Sequence, residues 1–109
     1  MVQRPEVLSG QTHEVMTGCG LLKITVNQLN DEPFEIFLTL GKNGVCGRAV
    51  TGTIGKQVSR QLRYRVPLEE ITKDLEDVEC KSANGHNKSC IDAIGQILRK
   101  YVKQLQEVA

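Results

Sequence analysis

Apolar and polar residues alternate along three stretches in the first forty positions of the chain. Residues 11–17 and 21–26 are rich in Val, Ile and Thr, and residues 34–40 place an apolar side chain at every second position. Alternation of this kind is typical of strands that bury one face. The pattern therefore predicts three strands paired as an antiparallel sheet.

Glycines and turn-forming residues separate these strands. Gly18 and Gly20 flank Cys19 and supply the backbone freedom of a tight hairpin turn with the cysteine at its tip. Residues 27–33 are predicted to form a turn-rich connection to the third strand. Residues 1–10 show no clear period and are predicted to be an extended arm.

The next segment has the spacing of an amphipathic helix, which is predicted over residues 47–64. Gly52 and Gly55 lower its helix propensity, and we expect them to permit close approach to the sheet. Its apolar residues recur at four-residue intervals: Val50, Ile54, Val58 and Leu62.

Two further helices are predicted after this one. Pro67 suits the first turn of a short helix that begins with acidic residues, and residues 81–88 form an irregular loop. Ser89 and Asp92 resemble a capping box at the start of the last helix. That helix carries a continuous apolar stripe of Ile91, Ile94, Ile97, Leu98, Tyr101, Val102 and Leu105. The expected architecture is α+β, a three-stranded antiparallel sheet packed by two to three helices, with the strands first.

A chain of 109 residues has room for a single domain, which we take to span residues 1–109. Large catalytic barrels and doubly wound dinucleotide folds are excluded by this size. No apolar run approaches the length of a membrane span, and the N-terminus lacks the pattern of a signal peptide. We therefore expect a soluble, cytoplasmic protein with no membrane partner.

The formal net charge of +1 hides a separation of charge along the chain. In residues 42–65 every charged residue is basic: Lys42, Arg48, Lys56, Arg60, Arg63 and Arg65. The next span is acidic except for Lys73, with Glu69, Glu70, Asp74, Glu76, Asp77 and Glu79. The simplest interpretation is two solvated faces in mutual salt bridges. The alternative is a nucleic-acid-binding module that uses the basic helix 48–65, but without interleaved exposed aromatic residues a nucleic-acid partner is not expected.

Four cysteines carry the candidate chemistry: Cys19, Cys46, Cys80 and Cys90. None of them forms a C-x-x-C pair, so their spacing alone is a weak indication of a metal site. All four are predicted at ends of strands or helices rather than within apolar stripes, which favours convergence on one site. Cys46 and Cys90 lie at helix starts, where the helix dipole stabilises a thiolate.

Three interpretations of the cysteines remain open from the residues alone. They bind a metal through four thiolates, or two of them form a redox-active pair, or they are thiols without a function. For a four-thiolate site zinc is the default, although an iron-sulfur cluster uses the same ligands. Structural disulfides rank below these because nothing indicates export.

The remaining candidate groups have weaker patterns. His86, between Cys80 and Cys90, is interpreted as a solvated loop residue with a possible place near the metal, and His13 as a solvated strand residue. The segment Gly41–Gly44 precedes a helix but lacks the spacing of a phosphate-binding loop.

Several short motifs accompany the cysteines: Arg4-Pro5, Thr17-Gly18-Cys19-Gly20, Gly41-Lys42 ahead of Cys46, VPLEEI at 66–71, and Ser89-Cys90-Ile91-Asp92-Ala93-Ile94. In this order they resemble the TSCPD domain family, over about Arg4 to Tyr101. That domain is found at the C-terminal end of adenosylcobalamin-dependent (class II) ribonucleotide reductases and as short stand-alone proteins with four cysteines. Here Ser89, Cys90 and Asp92 match its naming motif, whereas Lys88 and Ile91 replace the Thr and the Pro.

The resemblance implies a stand-alone accessory module in ribonucleotide reduction. Cys19, Cys46, Cys80 and Cys90 would hold a structural zinc ion, and the module would dock on a larger ribonucleotide reductase subunit or on itself. Adenosylcobalamin is implied only by association and is not expected to bind this chain alone. No catalytic residue is assigned, because the radical chemistry needs parts that the sequence lacks.

A different class of function remains as the alternative. In a thiol-disulfide oxidoreductase or electron-delivery module, Cys90 would attack and Cys80 or Cys46 would resolve the mixed disulfide.

Overall fold

The computed structural model describes residues 1–41, 45–81 and 83–108, without the side chains of residues 45, 46 and 108. The strands pair as one antiparallel sheet in the order β1-β2-β3. This confirms the predicted α+β class with strands before helices. The elements are β1 (Ser9–Thr17), β2 (Gly20–Leu29), β3 (Glu32–Leu40), α1 (Val45–Arg63), α2 (Leu68–Leu75) and α3 (Cys90–Val108).

The connection between β2 and β3 is shorter than predicted. Leu29 pairs with Glu32, so only Asn30 and Asp31 form the turn, with φ angles of 53° and 66°. Two central residues with positive φ match the twist of a hairpin, and Asn and Asp tolerate that conformation. The prediction of a turn over residues 27–33 was wrong because the polar residues at the end of β2 interrupt the apolar alternation.

One face of the sheet supports the core. Leu22, Ile24 and Val26 of β2 are fully buried, and their partners in β3 add Ile36 and Leu40 to the same face. α3 covers this face with the predicted stripe, of which these members are buried: Ile94, Ile97, Leu98, Tyr101 and Val102. The opposite face of the sheet has no helix packed on it among the described residues.

The apolar stripe predicted for α1 is only partly correct. Val58 and Leu62 are buried, whereas Val50 is 48% exposed and Thr51 is buried in its place. Residues four apart advance by about 40° around a helix, so Val50 points well away from Leu62. The stripe prediction treated this drift as negligible.

The two glycines of α1 differ in their surroundings. A Cβ atom at Gly55 would lie 3.7 Å from the Leu38 side chain and 3.8 Å from the Ile36 carbonyl oxygen, so the expected approach to the sheet is confirmed there. A Cβ atom at Gly52 would meet nothing within 4 Å, and the same expectation was wrong for that residue.

The N-terminal arm is held by polar contacts at the end of α1. The Val2 N–H donates to the Arg63 carbonyl (3.0 Å), and Arg4 forms two bonds with the Glu35 carboxylate (2.8 and 3.1 Å). Glu35 also accepts from Asn27 (2.7 Å) and Arg63 (3.4 Å). The predicted arm therefore has a structural role, although its last two residues belong to β1.

The acidic residues of and after α2 pair with partners other than α1. Arg99 of α3 bonds to Glu76 and lies 3.5 Å from Glu69, while Lys88 pairs with Asp77 at 3.2 Å. Within the described ranges no ion pair joins the basic and acidic spans. The prediction of salt bridges between the two spans was therefore wrong. None of the described helices is both long and apolar enough to cross a membrane.

Candidate metal centre

The β1–β2 turn holds Cys19 in a fixed position. The Thr17 hydroxyl donates to the Gly20 carbonyl (2.7 Å) and accepts from the Cys19 N–H (3.1 Å). Gly20 has a φ of 128°, and a Cβ atom there would lie 2.6 Å from the Gly41 carbonyl oxygen. Only glycine satisfies both conditions, so the turn carrying Cys19 sits directly beside the end of β3.

The segment between Cys80 and Cys90 closes back on itself. The Cys80 N–H donates to the Lys88 carbonyl (3.0 Å), and the Asn84 N–H donates to the Asn87 carbonyl (3.0 Å). The first cysteine is thereby fixed two residues from the start of α3, which begins at Cys90. Two cysteines that are ten positions apart in sequence thus belong to one compact loop.

Ser89 and Asp92 fix the start of α3. The Ser89 hydroxyl accepts from the Asp92 N–H (3.0 Å), as predicted for an N-cap. The Asp92 carboxylate differs from a complete capping box, since it accepts from the N–H groups of Asp77 and Lys88 (both 2.8 Å) and not from that of Ser89. It therefore ties the end of α2, the loop and α3 together beside Cys90.

Two asparagines attach the loop to β1. The side-chain amide of Asn87 donates to the Met16 carbonyl (3.1 Å), and that of Asn84 lies 3.4 Å from the same oxygen. The Asn84 side-chain oxygen accepts from the N–H groups of His86 and Asn87. Met16 precedes the turn that carries Cys19, so these bonds bring Cys19 to the end of the molecule that holds Cys80 and Cys90.

The thiols of Cys19, Cys80 and Cys90 are free and half-buried. Burial raises the pKa of the Cys90 thiol. Cys19 raises this pKa further through its charge and a hydrogen bond, and Cys80 does so through its charge. The Ile91 N–H has the opposite effect and lowers it. These influences require that the three thiols share one local environment. No group of three or more His, Cys, Asp or Glu side chains has metal-binding geometry among the side chains described.

Cys46 is the second residue of α1, and its side chain lies outside the described residues. The backbone places it near the same end, because the Gly41 N–H donates to the Leu21 carbonyl (3.0 Å) and only four residues separate Gly41 from Cys46. The assignment of Cys46 as a ligand stays a prediction. The segment Gly41–Gly44, which precedes α1 and was compared with a phosphate-binding loop, includes residues 42–44, and these also lie outside the described residues.

The two histidines have different surroundings. His86 is exposed, in agreement with its interpretation as a solvated residue. His13 is half-buried and its Nε2 lies 2.8 Å from the Tyr101 hydroxyl, which donates to Gln11 at 3.1 Å. Burial, and then the charge of Lys100, lower the pKa of His13. Its interpretation as a solvated strand residue was wrong, because β1 faces α3 at this position.

The residues that position the cysteines were largely missed from the sequence. Asn84 and Asn87 gave only the signal of a polar loop, and their shared acceptor is the backbone of Met16, about seventy positions away. The available sequence signal was the presence of two asparagines between two cysteines. It indicated a turn but not what the turn contacts.

The chain matches the model of one protein family, described as TSCPD domain, over residues 1–102. No curated protein and no solved structure matches the chain.

Proposed function

This chain belongs to the TSCPD domain family, and we propose that it is an accessory module of deoxyribonucleotide synthesis whose four cysteines hold a structural zinc ion. Family membership relates the chain to the C-terminal domain of ribonucleotide reductases. The zinc site and the docking role are the proposed part.

One observation carries the zinc site. The Asn87 amide bonds to the Met16 carbonyl at 3.1 Å and so attaches the Cys80–Cys90 loop to the turn of Cys19. Three half-buried thiols thereby come to one end of the fold, and Cys46, the second residue of α1, is the proposed fourth ligand. A set of thiolates is the donor set that zinc prefers in structural sites.

In the proposed site, a bound dication would lower the cost of ionising the thiols. Burial first, and then the neighbouring thiols, raise the pKa of Cys90, because a buried negative sulfur beside other sulfurs lacks a compensating charge. A zinc ion supplies that charge and joins the hairpin turn to the starts of two helices. The Ile91 N–H favours the Cys90 thiolate, as N–H groups around structural zinc sites do.

The same environment weighs against the oxidoreductase alternative. An attacking cysteine needs a lowered pKa so that its thiolate is present at neutral pH. The pKa of Cys90 is raised, chiefly by burial and next by Cys19. Alkylation distinguishes the two functions: thiols that bind zinc react slowly until a chelator is added, whereas a redox nucleophile reacts at once.

Elemental analysis tests the zinc site. Protein purified under reducing conditions, without a metal-affinity column, is expected to contain one zinc per chain, and a chelator is expected to lower its melting temperature. Replacement of any one of Cys19, Cys46, Cys80 or Cys90 by Ser should reduce zinc content and stability together. The matched loop variant His86→Ala should retain zinc. Absence of metal, with four freely reactive thiols and an unchanged melting curve, would overturn the site.

The proposed protein partner is a larger, cytoplasmic ribonucleotide reductase subunit, which would retain the adenosylcobalamin site and the radical chemistry. Size-exclusion chromatography with light scattering tests this proposal, with the chain alone and then mixed with a reductase subunit that lacks this domain. A complex with the subunit supports docking. A dimer that forms without the subunit and does not bind it would point to self-association instead.

A further inference from the structure

A groove of about 740 Å³ runs between β3 and α1 on the side of the molecule away from the core. Phe37 and Thr39 of β3 form one wall, and Lys56 and Arg60 of α1 form the other. Gly52 leaves its floor open, since a Cβ atom there would meet nothing within 4 Å. From Gly52 to Arg63 the groove follows α1 for about 17 Å.

The charge of this groove is positive. Lys56 and Arg60 take part in none of the ion pairs formed by described residues, and Arg63 shares Glu35 with Arg4. Glu35 is the one carboxylate among the described residues that line the groove. Because Lys56 and Arg60 are four positions apart, both project from the same face of α1.

Exposed aromatic rings accompany these cations. Phe37 is 56% exposed and Tyr64 is 61% exposed, and both line the groove. The other two aromatic residues, Phe34 and Tyr101, are buried in contact with the core. The exposed aromatic residues that the sequence did not reveal are therefore present beside the basic residues of α1.

The groove lies beside β3, an edge strand, and such an edge often binds an extended peptide as an added strand. Here the edge is poorly suited to a peptide. A strand added to β3 would need the free N–H and C=O groups of Ile36. The Ser59 hydroxyl already accepts from the Ile36 N–H (3.0 Å) and donates to its carbonyl (3.1 Å). The middle of the edge is thus occupied by α1, and pairing with a further strand is interrupted.

We propose that the groove between β3 and α1 binds single-stranded nucleic acid. Lys56 and Arg60 contact phosphates, and Phe37 and Tyr64 stack on bases. Unpaired bases are required because the rings reach only exposed base faces. This function goes beyond the proposed zinc site and does not depend on it.

Fluorescence anisotropy with labelled (dT)12 and (rU)12 tests the proposal, with a duplex of equal length for comparison. We expect binding to at least one single strand at low salt, weaker binding to the duplex, and a slope of log affinity against log salt of about −1.4 for two phosphate contacts. Lys56→Gln combined with Arg60→Gln should remove most of the binding and the salt slope. Tyr64→Ala should weaken binding about fivefold or more.

Two further variants separate groove binding from general charge and from loss of folding. Lys73→Gln combined with Lys103→Gln removes the same charge from exposed positions on other helices and should leave binding unchanged. Gly52→Glu places a carboxylate in the groove where a Cβ atom fits without contact, so it should block binding while the melting temperature stays the same or rises. Equal losses in the two double variants, or capture of a polyglutamate peptide in place of both oligonucleotides, would overturn the proposal.

Discussion

Each end of the molecule buries a polar side chain that joins distant segments. At one end Glu35, 1% exposed, receives hydrogen bonds from Arg4, Asn27 and Arg63. At the cysteine end Asn87, 3% exposed, bonds through its amide to Met16, and its side-chain oxygen has no donor among the described residues.

The difference follows from charge. A buried carboxylate without compensation costs several kcal/mol, so a stable fold must supply partners for Glu35. A neutral amide oxygen left without a donor costs about 1–3 kcal/mol, which a fold tolerates at one position. The Glu35 carboxylate is therefore fully paired within the chain, although the Nε of Arg63 beside it has no acceptor among the described residues. The cysteine end combines an unsatisfied acceptor with three thiols whose neighbours oppose ionisation of Cys90.

Glu35→Gln is expected to cause the largest loss of stability among the variants that test this comparison. The variant keeps the shape of the side chain but removes the charge that Arg4 and Arg63 share, so we expect a loss of about 2–3 kcal/mol in the free energy of unfolding. Urea unfolding at pH 7 measures it. Glu32→Gln, an exposed neighbour on the same strand, is the control and should change little. Equal effects of the two variants would mean that the Glu35 network contributes nothing beyond surface charge.

Acid should remove the same contribution in the unmodified chain. Burial raises the pKa of Glu35, but bonds from Arg4 and Asn27 and then Arg63 outweigh it, and the net pKa lies below the ordinary value of 4.5. The unfolded chain then binds the proton more readily, so the stabilisation is complete above pH 4.5 and is lost as the pH falls through the folded pKa. Urea midpoints measured between pH 6 and pH 2 should fall less steeply for Glu35→Gln. Parallel curves would contradict the assignment.

Gly95→Ala is expected to destabilise the cysteine end. A Cβ atom there would lie 2.8 Å from the Glu76 backbone nitrogen and 3.1 Å from its Cα atom, and the backbone gives way less easily than a side-chain tip. We expect a loss of about 1–3 kcal/mol despite the better helix propensity of alanine. Thermal unfolding measures it. An unchanged melting temperature would mean that α3 and the end of α2 pack more loosely than the distances indicate.

Asn87→Ala should cost less than Glu35→Gln. The variant removes the bond to Met16 but also removes the unsatisfied oxygen, so the two effects partly cancel and about 1 kcal/mol is expected. Urea unfolding of this variant beside Gln104→Ala, an exposed change on α3, measures the difference. If Asn87→Ala lowered the free energy of unfolding more than Glu35→Gln does, the Asn87 contact would contribute more to stability than the Glu35 network, contrary to this prediction.

Gly52→Ala should have the smallest effect and the opposite sign. Its Cβ atom would meet nothing within 4 Å, so only the gain in helix propensity remains, about 1 kcal/mol. The melting temperature should rise, in contrast to Gly95→Ala. A fall would show that α1 needs glycine at this position for a reason other than packing.

Local patterns were most reliable where one face of an element is buried along its whole length. The stripe of α3 and the apolar positions of β2 were predicted correctly, since each pattern depends only on residues that are close together in the sequence. The extension of β2 beyond Val26 was not predicted, because Asn27 and Gln28 break the alternation. The turn at Asn30 and Asp31 then closes the hairpin with residues that resembled a longer loop.

The sequence by itself determined the order of strands and helices, the cap at Ser89 and the family relation carried by the cysteine contexts. Only the tertiary structure decided what these elements bring together. The bonds from Asn87 to Met16, from Arg4 to Glu35 and from Ser59 to Ile36 join residues at least 23 positions apart. Such contacts depend on how whole elements pack, and periodicity carries no information about them because it records only which face of an element is apolar.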